Sequence, residues 1–178
     1  MDAAGIARFK QEIAKASRYV EFGSGGSTIF AHRAGLEVIS VENDPYYARA
    51  VASRLDLSAV RQIVVRMGIT GEWGFPLFPS AKKAKRYVTA PWSNAPFPDF
   101  VLVDGRYRVA CALESARRAH LRGATAVLMF DDYTPRPQYH GVESLLGRPE
   151  IVGRSAIFQI GEQSVPAEAV EPWLDDPG

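Results

Sequence analysis

Cysteine is nearly absent from this chain. The single one, Cys111, cannot close an internal disulfide or make a cysteine-only metal site, so a disulfide-stapled scaffold and a zinc ribbon are excluded. An excess of charge of one sign is also missing. The 21 Lys and Arg face 20 Asp and Glu for a net of +1, without the broad positive field of a protein that grips nucleic acid through its phosphates. No nucleic-acid partner is expected. No apolar run approaches the ~18 residues of a membrane span, and Met1-Asp2-Ala3-Ala4-Gly5 has no signal-peptide character. No membrane partner is expected either, and a cytoplasmic location is the default. Internal repeats and low-complexity tails are lacking. What is present is 178 residues, 47% of them apolar, enough to bury a core, and the prior of about 150 residues per domain predicts one domain over 1–178. Whether it pairs as a homodimer stays open.

Hydrophobic periodicity places the elements. Ile6, Phe9, Ile13 and Ala16 recur at helical spacing and a short strand, Tyr19 to Phe22, follows. The run Gly23-Ser24-Gly25-Gly26-Ser27-Thr28 turns the chain into a helix from Ile29 to Ala34, closed by Gly35. Val38 to Val41 form a strand ending at Glu42, and Asn43-Asp44-Pro45 opens the next helix with a polar cap and an early proline. Val60 to Val65 make a third strand. A long loop, Gly68 to Pro98, has one plausible helical turn at Ala81 to Arg86; loops of this length are usually functional or mobile. Asp99 to Val103 and Ala126 to Phe130 are the fourth and fifth strands, with a helix around Val109, Leu113, Ala116 and Leu121 between them. Ile151-Val152 and Ala156 to Ile160 close the chain as a hairpin. Strands alternating with helices describe an α/β sheet, mostly parallel.

In such sheets ligands gather beyond the carboxyl ends of the strands, and here those ends are acidic: Glu21, Glu42, Asp104, and the pair Asp131-Asp132. A Gly-rich turn after the first strand serves dinucleotides, phosphates and adenosyl cofactors alike, and by itself is only a tight turn. Glu42, ending the next strand, offers two oxygens to the vicinal hydroxyls of a ribose. Glu21 supplies negative charge that would repel a pyrophosphate and attract an ammonium.

With these residues in place, the chain resembles the class I S-adenosylmethionine-dependent methyltransferases. Glu21-Phe22-Gly23-Ser24-Gly25-Gly26-Ser27-Thr28 looks like their first motif, Glu42 like their ribose acid, and the closing hairpin like their reversed last strand, over Tyr19 to Ile160. The resemblance implies a Rossmann-like fold: a mostly parallel seven-stranded sheet, an antiparallel last strand and helices on both faces. It implies S-adenosylmethionine as cofactor, held by Glu21, Gly23, Ser24, Gly25, Ser27, Thr28, Glu42, Asn43 and Asp104, with Gly23, Gly25 and Ser27 against the methionine part. Gly71-Glu72-Trp73-Gly74-Phe75-Pro76 and Val103-Asp104-Gly105-Arg106-Tyr107-Arg108 look like phrases of uncharacterised bacterial methyltransferase-like proteins, a likeness that supplies no substrate.

The remaining acids resemble the metal-ligand positions of magnesium-dependent catechol-type O-methyltransferases. That likeness implies Mg²⁺ on Asp104, Asp131 and Asp132, a hard cation on oxygen ligands, activating the hydroxyl of a small-molecule acceptor. The plainer alternative is a turn at Asp104-Gly105 and a cap by Asp132. The chain departs from that family by carrying Tyr107, between Arg106 and Arg108, where a lysine is usual, and Asp132 where asparagine is frequent. It also has Arg122-Gly123 where a glycine pair precedes strand five. Asp104, Asp131, Tyr107 and His140 are the candidate catalytic groups, with Tyr133 behind them. Trp73, Phe75, Phe78 and Trp92 would wall an acceptor pocket or pack the loop onto the sheet. Lys82, Lys83, Lys85 and Arg86 read as a solvated face and Cys111 as a small core residue. Two further classes stay open: a non-catalytic adenosylmethionine or adenosylhomocysteine binder, and an NAD-binding oxidoreductase, for which the glycine spacing is imperfect.

Overall fold

A strand buried on both faces reads as an unbroken apolar run, and Phe100–Val103 is buried at every position. The computed structural model describes residues 1–92 and 96–178. Ser93, Asn94 and Ala95, part of the long loop read between Gly68 and Pro98, lie outside them. The elements in chain order are α1 (Ala3–Ile13), β1 (Arg18–Phe22), α2 (Gly26–Arg33), β2 (Glu37–Glu42), α3 (Pro45–Ala52), β3 (Val60–Val64), α4 (Ala81–Thr89), β4 (Phe100–Val103), α5 (Arg108–Leu121), β5 (Ala126–Phe130), α6 (Glu143–Leu146), β6 (Glu150–Val152) and β7 (Ser155–Ile160).

The strands form one seven-stranded sheet in the order β3-β2-β1-β4-β5-β7-β6. The pairs among β1 to β5 are parallel, and β7 is antiparallel to both β5 and β6, so six strands run one way and β7 runs against them. This is the sheet the sequence predicts. The chain builds outward from β1 on one side and then restarts at β4 on the other, which opens a crevice at the carboxyl ends of β1 and β4. Register decides what lines it. Phe22 stands opposite Val41 and Val103, and Val103 opposite Phe130. The next residue on each strand therefore reaches the same rim: Gly23, Glu42, Asp104 and Asp131.

Two apolar layers hold the sheet. On one face Phe9 and Ile13 of α1 and Ala31 of α2 pack with Tyr19, Val38, Phe100 and Met129, and α3 lies beside α2. On the other, Tyr87 and Val88 of α4 and Val109, Leu113 and Ala116 of α5 meet Val20, Phe22, Val101 and Val103. Each such fully buried Leu, Val or Phe contributes roughly 1.5–3 kcal/mol. Cys111 is buried in this second layer, as expected, and so is Trp92, its ring stacked on Phe97 at 5.3 Å. Trp92 is thus core rather than pocket wall.

Local chemistry sets the boundaries. Asp44 caps α3 by accepting from Tyr46 N at 2.8 Å and Tyr47 N at 3.1 Å. Helix α2 begins at Gly26, inside the glycine run and earlier than periodicity indicates, because the Thr28 hydroxyl accepts from Gly25 N at 2.8 Å and satisfies an amide that the helix start would leave open. Ala84, Tyr87 and Val88 turn inward on α4 while Lys82, Lys85 and Arg86 stay exposed, so the basic run is largely a solvated face. No helix among the described residues is long and apolar enough to cross a membrane.

Candidate functional site

The rim opens into a cleft of about 710 Å³, within the roughly 300–1,000 Å³ typical of small-molecule and cofactor sites. Its floor is backbone. Gly23 has φ +95°, and a Cβ there would lie 2.9 Å from Gly105 Cα, so glycine is needed both for the conformation and for the close approach of the β1 and β4 ends. Glu42 forms one wall. Its Oε2 accepts from Ser24 N at 2.9 Å, and its Oε1 from Asn43 N at 2.7 Å and Asp44 N at 2.9 Å. Burial raises the Glu42 pKa, opposed by these three amides. A carboxylate offers about four acceptor directions, so one remains for a ligand. Asn43 donates through Nδ2 to the carbonyl of Gly74 at 2.6 Å, which ties the loop carrying Trp73 and Phe75 over the cleft mouth.

The opposite wall is a network of acids and arginines. The guanidinium of Arg108 lies 3.2 Å from Asp104 and 3.7 Å from Asp132, and donates to the Asp131 carbonyl at 2.6 Å. Asp132, in a left-handed conformation at φ 54°, also meets Arg154 at 2.6 Å and Arg136 at 3.8 Å. Asp131 accepts from the Ser155 hydroxyl at 2.7 Å and lies 2.9 Å from the Met1 amino group. These surroundings push the two strand-end acids apart. Burial, against the pull of Arg108, raises Asp104 to about 6. Asp131 is held below the usual carboxylate range, its own burial outweighed chiefly by the Met1 amino group and the Ser155 hydroxyl.

Of the residues the sequence nominates for the cofactor, Gly23, Ser24, Glu42, Asn43 and Asp104 line the cleft, and Glu21, Gly25, Ser27 and Thr28 do not. Glu21 is wholly buried. It accepts from the Tyr19 hydroxyl at 2.8 Å, the Ser27 hydroxyl at 2.7 Å and the Thr28 hydroxyl, and burial lifts its pKa to about 7. The expectation that Glu21 faces a ligand's ammonium is therefore corrected: side chains alternate along β1, and Glu21 points with Tyr19 into the α1/α2 layer, where it fastens the first turn of α2.

Among the catalytic candidates, Asp104 and Asp131 line the cleft, whereas Tyr107 and His140 are corrected. Tyr107 is 1% exposed, packs towards Tyr87 and has no hydrogen-bond partner for its buried hydroxyl among the described residues. His140 stacks on Tyr133 at 4.6 Å, with Nε2 3.3 Å from the Tyr133 carbonyl. Tyr133 donates to Glu143 at 2.9 Å, away from the cleft. Phe78 is 72% exposed and stays outside the wall that Trp73 and Phe75 join. Sequence reasoning missed Arg136 and Arg154 as partners of the rim acids. Arg108, four residues after Asp104 at a helix start, and Arg136, four residues after Asp132, carry a legible signal, the i,i+4 spacing of an ion pair.

The donor set does not fit Mg²⁺. Among the described residues no three carboxylate, imidazole or thiol groups are gathered to hold a metal ion, and positive groups stand where the cation would: Arg108 between Asp104 and Asp132, Arg154 on Asp132 and the Met1 amine on Asp131. The expectation of a metal on Asp104, Asp131 and Asp132 is corrected accordingly. S-adenosylmethionine does fit the donor set, with a glycine floor, a carboxylate holding an acceptor in reserve at the end of β2, and a cleft within the size range of cofactor sites.

Sheet order, crevice and donor cradle together define a class I methyltransferase scaffold. The comparisons agree. A methyltransferase-like protein from Silicibacter pomeroyi is 32% identical, with 99% of this chain and 96% of that one covered and a TM-score of 0.87. The chain belongs to the family of these methyltransferase-like proteins. An O-methyltransferase from Bacillus cereus, solved in complex with SAH, is 16% identical over 89% of this chain and 80% of that one, with a TM-score of 0.53. A TehB-like SAM-dependent methyltransferase from Corynebacterium glutamicum is 13% identical over 93% and 89%, with a TM-score of 0.50. These two share the fold. No protein-family model matches the chain, and no curated protein does.

Proposed function

We propose that this protein binds S-adenosylmethionine in the cleft beside Gly23, Ser24 and Glu42 and methylates a hydroxyl of a small-molecule acceptor, with Asp104 as the general base. The observation that carries the reading is the state of Asp104: a carboxyl at the cleft rim, partly exposed, lifted to about 6, on the same strand-end level as Gly23 and Glu42. A base poised near the working pH takes up a proton most effectively. Its neighbour Asp131, held ionised, supplies the fixed negative charge, and two acids pushed apart in this way divide the roles of base and electrostatic support. The bound donor would supply an electrophilic methyl on a sulfonium. The chain's residues position the acceptor hydroxyl beside it, exclude water under the Trp73 loop and carry the released proton on Asp104.

The test is calorimetry with adenosylhomocysteine, followed by a methyl-transfer assay against a panel of hydroxylated small molecules. Asp104→Asn is expected to lower kcat by about 10²–10⁴-fold and to abolish the acidic limb near pH 6 while adenosylhomocysteine still binds. Full turnover in that variant would remove Asp104 from the mechanism. Tight adenosylhomocysteine binding with no transfer to any acceptor would mark a non-catalytic binder instead.

A further inference from the structure

The connection between β3 and α4 carries apolar side chains that the fold does not bury. Leu77 N donates to the Ile69 carbonyl at 3.0 Å and Gly71 N to the Phe75 carbonyl at 2.8 Å, around a bridge between Thr70 and Pro76. The segment is thus a short antiparallel hairpin with Trp73 at its tip. Opposed residues of such a pair share a face, and so do residues two apart. Thr70 and Pro76 take one face, on which Pro76 is buried. Ile69, Phe75 and Leu77 take the outer one, and all three are exposed, as is Phe78 just beyond. Single exposed apolar residues are ordinary, but several gathered on one face mark an interaction site. Trp73 is the clearest case. Its backbone is left-handed at φ 56°, a strained conformation for a bulky residue, and at 87% exposure its ring recovers nothing from packing. The hairpin is nonetheless fixed in place, because Asn43 Nδ2 donates to the Gly74 carbonyl at 2.6 Å.

Positive charge adjoins this face. Between Arg66 and Thr89 five basic residues accompany one acid, Glu72, in a chain whose totals are 21 and 20. Lys83 joins α4 to the base of the hairpin by donating to the Met67 carbonyl at 3.1 Å. Lys82, Lys85 and Arg86 stand at the i, i+3 and i+4 spacing that makes one helical stripe. All three are exposed, and none is within ion-pairing distance of a carboxylate among the described residues. Lys82 lies in the first turn of α4, which holds no acid, at the helix end where a cation opposes the dipole. We propose that the outer face of the hairpin and the α4 stripe dock on an anionic membrane surface, with Ile69, Trp73 and Leu77 entering the boundary between headgroups and acyl chains and the three cations over the lipid phosphates. Such docking grows with the apolar area buried and with attraction to anionic lipid, and an aromatic ring favours the headgroup level. A bilayer also suits the shape, since a narrow ribbon with its largest side chain at the tip enters a deformable layer more readily than it fills a protein groove. A second copy of the chain fits poorly, because a two-fold contact through this face would set like-charged stripes together. The expectation of no membrane partner rests on the lack of a spanning segment, which surface docking does not need. Trp73 and Phe75 also line the cleft, so docking turns the cleft mouth towards the lipid.

The experiment is cosedimentation of the full chain with vesicles of phosphatidylcholine alone and of equimolar phosphatidylcholine and phosphatidylserine. The protein is expected to pellet with the anionic vesicles and not with the neutral ones, and to be released by raised salt. Lys82→Gln/Lys85→Gln should weaken binding by about fivefold for each cation removed. Arg33→Gln/Arg54→Gln, which removes as many exposed cations from the end of α2 and the turn after α3, should leave it unchanged. Ile69→Ser/Leu77→Ser should weaken it by about tenfold or more at constant charge. Equal binding to neutral and anionic vesicles, no binding to either, or equal losses in the two charge variants would each overturn the proposal. Competition by soluble polyglutamate as effective as that by anionic vesicles, with Ile69→Ser/Leu77→Ser binding normally, would overturn it in favour of an acidic protein partner. Dimers in sedimentation velocity that Ile69→Ser/Leu77→Ser abolishes would overturn it in favour of a second copy of the chain.

Discussion

Replacing Glu21 by Gln tests how the glycine turn is fastened. Glu21 is 0% exposed and surrounded by the hydroxyls of Tyr19, Ser27 and Thr28. Burial lifts its pKa to about 7, against an ordinary value of 4.5. A carboxyl raised in the fold keeps its proton there after the unfolded chain has lost it. Between about pH 4.5 and pH 7 the native state thus binds the extra proton, and stability falls as pH rises. Below that window the contribution is fully present, and above pH 7 it is gone. At about 1.4 kcal/mol per pH unit the whole fall is about 3 kcal/mol. Glutamine keeps the shape without titrating, and the three hydroxyls can each donate or accept. Urea unfolding of both proteins from pH 4 to pH 8.5 measures the difference directly, since other titrating groups cancel between them. The wild-type chain should lose about 3 kcal/mol relative to Glu21→Gln across that window and then level off. A difference that stays constant with pH would refute the reasoning, and so would one that grows in favour of the wild type, which would mean an ionised Glu21 at neutral pH.

Glu42→Gln should weaken adenosylhomocysteine binding by about 1.5–3 kcal/mol, the worth of a hydrogen bond to a charged acceptor, read by calorimetry on the folded variant. Arg108→Gln removes the charge that holds Asp104 down, so the acidic limb of the kcat profile should move above pH 6 and turnover lost at neutral pH should return at higher pH. Excess chelator should leave methyl transfer unchanged, because arginines rather than a metal neutralise the acids of the rim. A loss restored by Mg²⁺ would contradict that geometry.

Most of the sheet was legible because parallel strands are short apolar runs between breakers, and each one read in the sequence is present. The rim was legible for a related reason: a polar residue that ends an apolar strand has nowhere to go but the edge of the sheet, which places Glu42, Asp104 and Asp131 without further information. Glu21 misled because it sits inside its strand rather than at its end. Alternation along Tyr19, Val20, Glu21 and Phe22 sends it sideways into a helix layer, a distinction that motif spacing does not carry. The neutralising partners were the other gap. Arg136 lies four residues past Asp132 but on an irregular connection rather than a helix, and Arg154, from the turn between β6 and β7, meets Asp132 only through tertiary packing. Tyr107 looked like a polar group beside the site, but a left-handed backbone at φ 53° turns its ring inward.

Trp73 stands 87% exposed on the loop that Asn43 ties over the cleft, whereas Trp92 is 8% exposed in the core. The protein therefore carries a built-in optical reporter. The indole of Trp73 emits from water at the cleft mouth, and an adenine ring arriving beside it would quench that emission and shift it to shorter wavelength. Trp92, sealed beside Phe97, and Trp173, partly buried against the same core, supply a steady background from the same molecule. Donor affinity, loop closure and the effect of each substitution above can be followed by intrinsic fluorescence, without labels and without a known acceptor.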